Sequence, residues 1–240
     1  MIKIFPSAAE IPADILRFHI EFNEPPDTEN IVNAFALFND KGEQVAHPFL
    51  DFPDGLWDRS GKVLTLMPHP GRIKSGLGAS DLLGGALSLR ANYELVVDPC
   101  ALFGSDARQK GRLIRQSYAI TAPRTEPIHV DRWTIVSPPA RTREPLLVNF
   151  KEKLDWLSIC NSLSILSDQN NLVDCVIEPS ASQEQVQIYP INDWQPSSYR
   201  LVIAADIEDV AGNRINRVFE AAKDLNNASD SSPSMTFVPT

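Results

Sequence analysis

The chain has 240 residues, 43% of them hydrophobic and 22% charged, with a formal net charge of −9. This mix excludes a wholly disordered chain, a collagen and a coiled coil, and no apolar run approaches the roughly 20 residues of a membrane-spanning helix. Nineteen prolines against 11 glycines favour short strands punctuated by turns. Residues up to 126 carry 13 basic and 16 acidic groups and the remainder 9 and 15, so neither part offers a basic footprint. Nucleic acid is therefore excluded as a partner, and binding to anionic lipid is opposed.

The first residues, Met1-Ile2-Lys3-Ile4-Phe5-Pro6, lack the apolar run and cleavage site of a signal peptide. The chain is expected either to stay in the cytoplasm or to belong to a longer precursor. From there, residues 16–22 alternate apolar Leu16, Phe18, Ile20 and Phe22 with Arg17, His19 and Glu21, the pattern of a strand with one wet face. His19 is expected at the surface. A short helical turn is expected over residues 28–33, capped by Asp27. Residues 35–38, the turn Asn39-Asp40-Lys41-Gly42 and residues 44–46 read as strand, turn, strand, with Gly42 taking the positive φ. Residues 69–92 form a distinctive stretch in which Arg72 and Lys74 are a close basic pair able to meet an acidic ligand. Trp57 is expected to be the most exposed tryptophan, whereas Trp133, Trp156 and Trp194 are expected in cores or at the domain junction. Further short helices are expected at residues 80–89 and 218–225.

The chain also repeats itself. At an offset of 128, Phe18 falls on Leu146, Ile20 on Val148, Phe22 on Phe150, Glu24 on Glu152, Asp27 on Asp155, Leu37 on Ile165 and Val45 on Val173. The match resumes at shorter offsets, with Val63 on Val186 and Tyr93 on Tyr199. The repeat, with strands roughly every 8 to 15 residues, predicts an all-β protein of two tandem antiparallel β-sandwiches with about seven strands each. Their expected bounds are 1–124, with the 69–92 stretch as an insertion, and 125–222. A flexible tail rich in Asn, Ser and Pro is expected over 223–240.

The run Leu146-Leu147-Val148-Asn149-Phe150-x-Glu152-x-x-Asp155 resembles the opening of the bacterial Ig-like domain of surface-layer proteins. The run from Tyr199 to Ile203, followed by Asp206-x-x-Asp209-x-Ala211-Gly212-Asn213, is similar to that family's ending. The resemblance covers nearly all of residues 131–221 and, more loosely, residues 1–122, where Ser105-Asp106-Ala107-Arg108 replaces the closing turn. It implies two tandem immunoglobulin-like antiparallel β-sandwiches, of the kind arrayed on exported or cell-surface proteins, without family catalytic residues, and places Phe219 in a last strand.

Little else in the sequence points to chemistry. His19, His47, His69 and His129 form no close ligand pair, and the segment from Gly55 to Lys62 is not spaced as a phosphate loop. Glu24, Asp27, Glu152 and Asp155 recur in both copies, as structural residues do. Asp206, Glu208, Asp209 and Asn213 form an oxygen-rich turn. It reads either as a weak calcium site, calcium taking six to eight oxygens, or as an Asx-type turn closing a hairpin. Cys160 and Cys175 either pair in an oxidising compartment or remain buried thiols. The expected function is a non-catalytic structural or binding module of the cell-surface spacer type, without a cofactor. Its expected partner is a protein or a surface glycan, and weak ligand contacts are expected at Trp57, Arg72 and Lys74. The alternative is an enzyme or accessory subunit with a site at the domain junction or under the 69–92 stretch.

Overall fold

The computed structural model describes residues 2–26, 31–52, 54–69, 87–103, 112–219 and 232–240. The chain divides into two compact units, Met1–Arg124 and Thr125–Thr240. In the first unit, one sheet contains β1 (Ile2–Phe5), β3 (Phe18–Phe22), β5 (Leu56–Trp57) and β6 (Val63–Leu66) in the order β1-β3-β6-β5. The other contains β2 (Glu10–Pro12), β4 (Phe35–Asn39), β7 (Asn92–Val97) and β8 (Ile114–Thr121) in the order β2-β8-β7-β4.

The second unit has β9 (Thr134–Val136), β10 (Leu146–Asn149), β13 (Cys175–Pro179) and β14 (Gln185–Pro190), ordered β13-β14-β10-β9. Its other sheet has β11 (Leu163–Ser167), β12 (Leu172–Val173), β15 (Tyr199–Ile203) and β16 (Ser234–Phe237), ordered β12-β11-β15-β16. Each unit is thus an all-β sandwich. Among the described residues, every strand pair is antiparallel except β2 with β8, which run parallel with Ile11 opposite Ile120. Among the described residues each unit has eight strands, four per sheet, where about seven are expected.

The period-two pattern decides which residues meet. Along β15, Tyr199, Leu201 and Ile203 are buried and Arg200 and Val202 are not; β10 and β14 alternate likewise. Inward residues of both sheets fuse into one core containing Leu146, Val148, Ile165, Val186, Ile188 and Leu201. Each such side chain contributes about 1.5–3 kcal/mol through removal from water. Trp133 packs on Phe150 with ring centroids 4.5 Å apart.

Several expectations are corrected. Residues 234–237 are not tail but the edge strand β16, because Phe237 stacks on Tyr199 at 5.5 Å and meets Trp194 edge-on at 5.5 Å. The second unit therefore runs to Thr240, past 222. Phe219 lies outside any strand and is 41% exposed. Of the helical turn expected over 28–33, residues 31–33 fall in a 3₁₀ turn, Ile31–Ala34, and 28–30 lie outside the described residues, whereas the helices expected at 80–89 and 218–225 lie mostly outside the described residues. Among the described residues two short α-helices occur: α1 (Pro99–Phe103) and α2 (Trp156–Ser162). The turn after β4 is made as read: the Asn39 side chain accepts from the N–H groups of Lys41 and Glu43, and Gly42 has φ +75°.

Candidate functional site

The oxygen-rich turn follows β15, and the helix α2 region holds it in place. Glu208 N–H donates to Ser158 Oγ at 2.8 Å, and Asp155 N–H donates to Glu208 O at 3.0 Å. Asp209 Oδ1 accepts from Ala211 N–H at 2.8 Å and Asn213 N–H at 2.9 Å, which makes it an Asx turn. Its other oxygen accepts from Asn213 Nδ2 at 2.9 Å, and Asn213 Oδ1 accepts from Phe219 N–H at 2.9 Å. Gly212, at φ +80°, lets the chain reverse. Glu208 takes two donors from Arg214, at 2.9 and 2.6 Å. Asp209 and Asn213 are each 1% exposed, whereas Asp206 points into solvent. The structure thus bonds Asp209 to Asn213, engages Glu208 with Arg214, and leaves Asp206 exposed. Among the described residues, no group of three or more His, Cys, Asp or Glu is arranged to hold a metal.

The repeated carboxylates separate in role. Asp155 caps α2 by accepting from Ser158 N–H at 2.9 Å, a contact worth about 1 kcal/mol. Glu152 is buried and accepts from Trp133 Nε1 at 3.0 Å, whereas Glu24 is exposed. Asp27 lies outside the described residues, as do Arg72 and Lys74.

Trp57 is half-buried. Its indole N–H donates to Asp54 O at 3.0 Å, and its ring lies 5.8 Å from Phe22. Trp133 and Trp194 are buried, and Trp156 is half-buried on α2. Next to Trp57, Asp58 accepts from Lys62 and Val63 N–H groups and from Ser60 Oγ. Partial burial pushes the Asp58 carboxyl up. The hydrogen bonds from Val63, Ser60 and Lys62 outweigh that and hold it below its ordinary value.

His19 is corrected from surface to interior: it is 1% exposed, with Nδ1 3.0 Å from Thr65 Oγ1. Alternation identifies the outer face of a strand but not whether that face is covered. Cys160 and Cys175 are separate, half-buried thiols. Burial, with the neighbouring Asp174 charge, pushes the Cys175 thiol up to about 11. Burial also pushes the Tyr118 phenol far up, and its O–H donates to Pro6 O at 2.7 Å.

Sequence reasoning missed a cavity of about 580 Å³ at the edge of the first unit. It lies between Phe35 of β4 and the strands β5 and β6, under residues 44–52. A signal for it existed: when the sequence is aligned with itself, the offset falls from 128 at Val45 to 123 at Val63, which leaves five extra residues in the earlier stretch.

Fold and contacts together define an all-β sandwich protein whose most prominent carboxylates are engaged in holding turns and a helix cap. No family model matches the chain, and no curated protein sequence matches it. Among solved structures, it is similar to the N-terminal part of the bacterial S-layer protein SbsC, at 15% identity and TM-score 0.32, over 44% of this chain and 23% of that one. It is similar to the S-layer protein rSbsC(31-844) at 16% identity and TM-score 0.30, over 42% and 13% respectively. A chimeric titin Z1Z2 is matched over 84% of this chain and 88% of that one, at 11% identity and TM-score 0.25. The chain thus spans under a quarter of the S-layer chains it matches, and at these scores none of the likenesses bears on what it binds or does.

Proposed function

We propose that the chain is a non-catalytic structural or binding module, two copies of one Ig-like sandwich of the kind arrayed at cell surfaces. The observation that carries this reading is the shared strand order. The run β1-β3-β6-β5 of the first unit is matched by β9-β10-β14-β13 of the second, and the run β8-β7-β4 by β16-β15-β11. The pairing also agrees: Phe18 faces Leu66 as Leu146 faces Ile188, and Leu37 faces Leu95 as Ile165 faces Leu201. A unit that buries its own core and can be repeated without redesign is the physical requirement for a spacer. The engagement of Glu152, Asp155, Glu208 and Asp209 in structural hydrogen bonds supports a structural rather than an acid–base role for them.

The partner class is a protein or a surface glycan. Among the described residues, no helix is long and apolar enough to cross a membrane. Two measurements test the reading. Pulled from its ends, the full chain unfolds in two events, each lengthening it by about 40 nm, since an extended residue spans at most roughly 0.36 nm. Protease applied to intact source cells removes the protein. A single event of twice that length, or complete protection within intact cells, overturns the modular or the surface assignment respectively.

A further inference from the structure

The cavity of the first unit is a built feature. In the second unit, β13 pairs with β14 through five residues, and its Cys175 and Ile177 pack on the core. Its counterpart in the first unit, β5, has only two residues. Residues 44–52 swing outward instead, as a strap that crosses from one sheet to the other. At one end, Val45 N–H donates to Leu37 O of β4 at 2.8 Å. At the other, Leu50 N–H donates to Met67 O at 2.8 Å, and Phe49 bridges to Pro68. The Phe49 ring also rests edge-on against Phe18 at 5.9 Å. The strap bends at His47, whose φ of 45° lies in the left-handed region that non-glycine residues rarely adopt.

The space beneath has the size and lining of a small-molecule pocket: about 580 Å³, walled by Phe35, Phe49, Leu56, Leu64 and Leu66. Among the described residues, no Lys or Arg lines it; Asp51, which is exposed, is the one carboxylate in the lining and His47 the one imidazole. Uncharged hydrogen-bonding groups come from Asn33 and Gln44. Water held against such walls is released favourably to an apolar body, and a lone carboxylate favours a cation over an anion.

We propose that this cavity binds a small amphipathic amine, with an aromatic or branched apolar body between the sheets and its ammonium group at Asp51. This goes beyond the spacer reading and is independent of it, so failure here leaves the result of the pulling experiment untouched.

The test is calorimetric titration of the full chain with three probes of one shape: naphthylmethylamine, naphthylmethanol and naphthoate. The amine is expected to bind most tightly and naphthoate most weakly. Asp51→Asn is expected to bring the amine to the affinity of the alcohol, a loss of about two- to five-fold for an ion pair at an exposed rim. Leu56→Trp fills the cavity and abolishes binding of all three. Val45→Trp does the same from the half-exposed strap, where core packing is undisturbed, and circular dichroism confirms that each variant folds. Leu172→Trp, on the 67% exposed residue of β12, leaves binding unchanged. Any of three results overturns the proposal: no saturable binding of the amine at millimolar concentration, equal affinity for amine and naphthoate, or undiminished binding in folded Val45→Trp.

Discussion

Asp209 is the residue on which the closing turn of the second unit depends. Its carboxylate satisfies two backbone N–H groups and the Asn213 amide inside a turn that water does not reach. Asp209→Ala orphans these donors and is expected to cost about 2–4 kcal/mol in urea unfolding, because unsatisfied buried groups retain their desolvation penalty. With the oxygens committed to N–H donors, millimolar calcium is expected to leave Tm unchanged; a rise would show a cation displacing them. Asp58 sets a pH dependence. Its folded-state pKa is lowered, so its stabilisation is present above the unfolded value of about 3.9 and is lost as pH falls through the folded value. Asp58→Asn is therefore expected to lower Tm near neutrality, and the gap to the native chain should close in strong acid. Thermal melts of both proteins across pH check this. The Asp209–Asn213 turn was legible because its chemistry is local, each partner lying within four residues. The burial of His19 was not, because its partner Thr65 is 46 residues away.

At the scale of elements, β16 shows how composition misleads. The stretch before it is polar and Pro-bearing, and Ser234-Met235-Thr236-Phe237 is short, yet it alternates and ends in an aromatic residue. Phe237, 4% exposed, closes an aromatic trio with Tyr199 and Trp194. Phe237→Ala is expected to cost about 3–5 kcal/mol, the usual range for a buried phenylalanine, read from the urea midpoint of tryptophan fluorescence. Helix α2 was unforeseen because seven residues are too few to show a 3.6-residue period, although its cap, Asp155, had been marked as structural. The edge strands diverge most between the two units: β13 is a full strand, whereas β5 is two residues preceded by the strap. Sheet edges tolerate such change because insertion there does not disturb the central pairs that carry the core.

For the whole molecule, two cores predict two cooperative transitions. Leu95 in the first unit and Leu201 in the second are both fully buried. Leu95→Ala and Leu201→Ala should each lower a different component of the calorimetric melt, by the 2–5 kcal/mol typical of a core leucine. A melt in which either variant shifts every component equally would show a single cooperative body. By itself, the sequence determined the all-β class and strands such as β3, β4 and β15, and narrowed the turn at Asp209 to two readings. These follow from period-two burial and from contacts between near neighbours in the chain. Only the tertiary structure decided that His19 is interior, that residues 234–237 complete a sheet, and that an edge of the first unit opens over a cavity. Each of these depends on which distant segment covers a given face, and alternation along one strand carries no record of that.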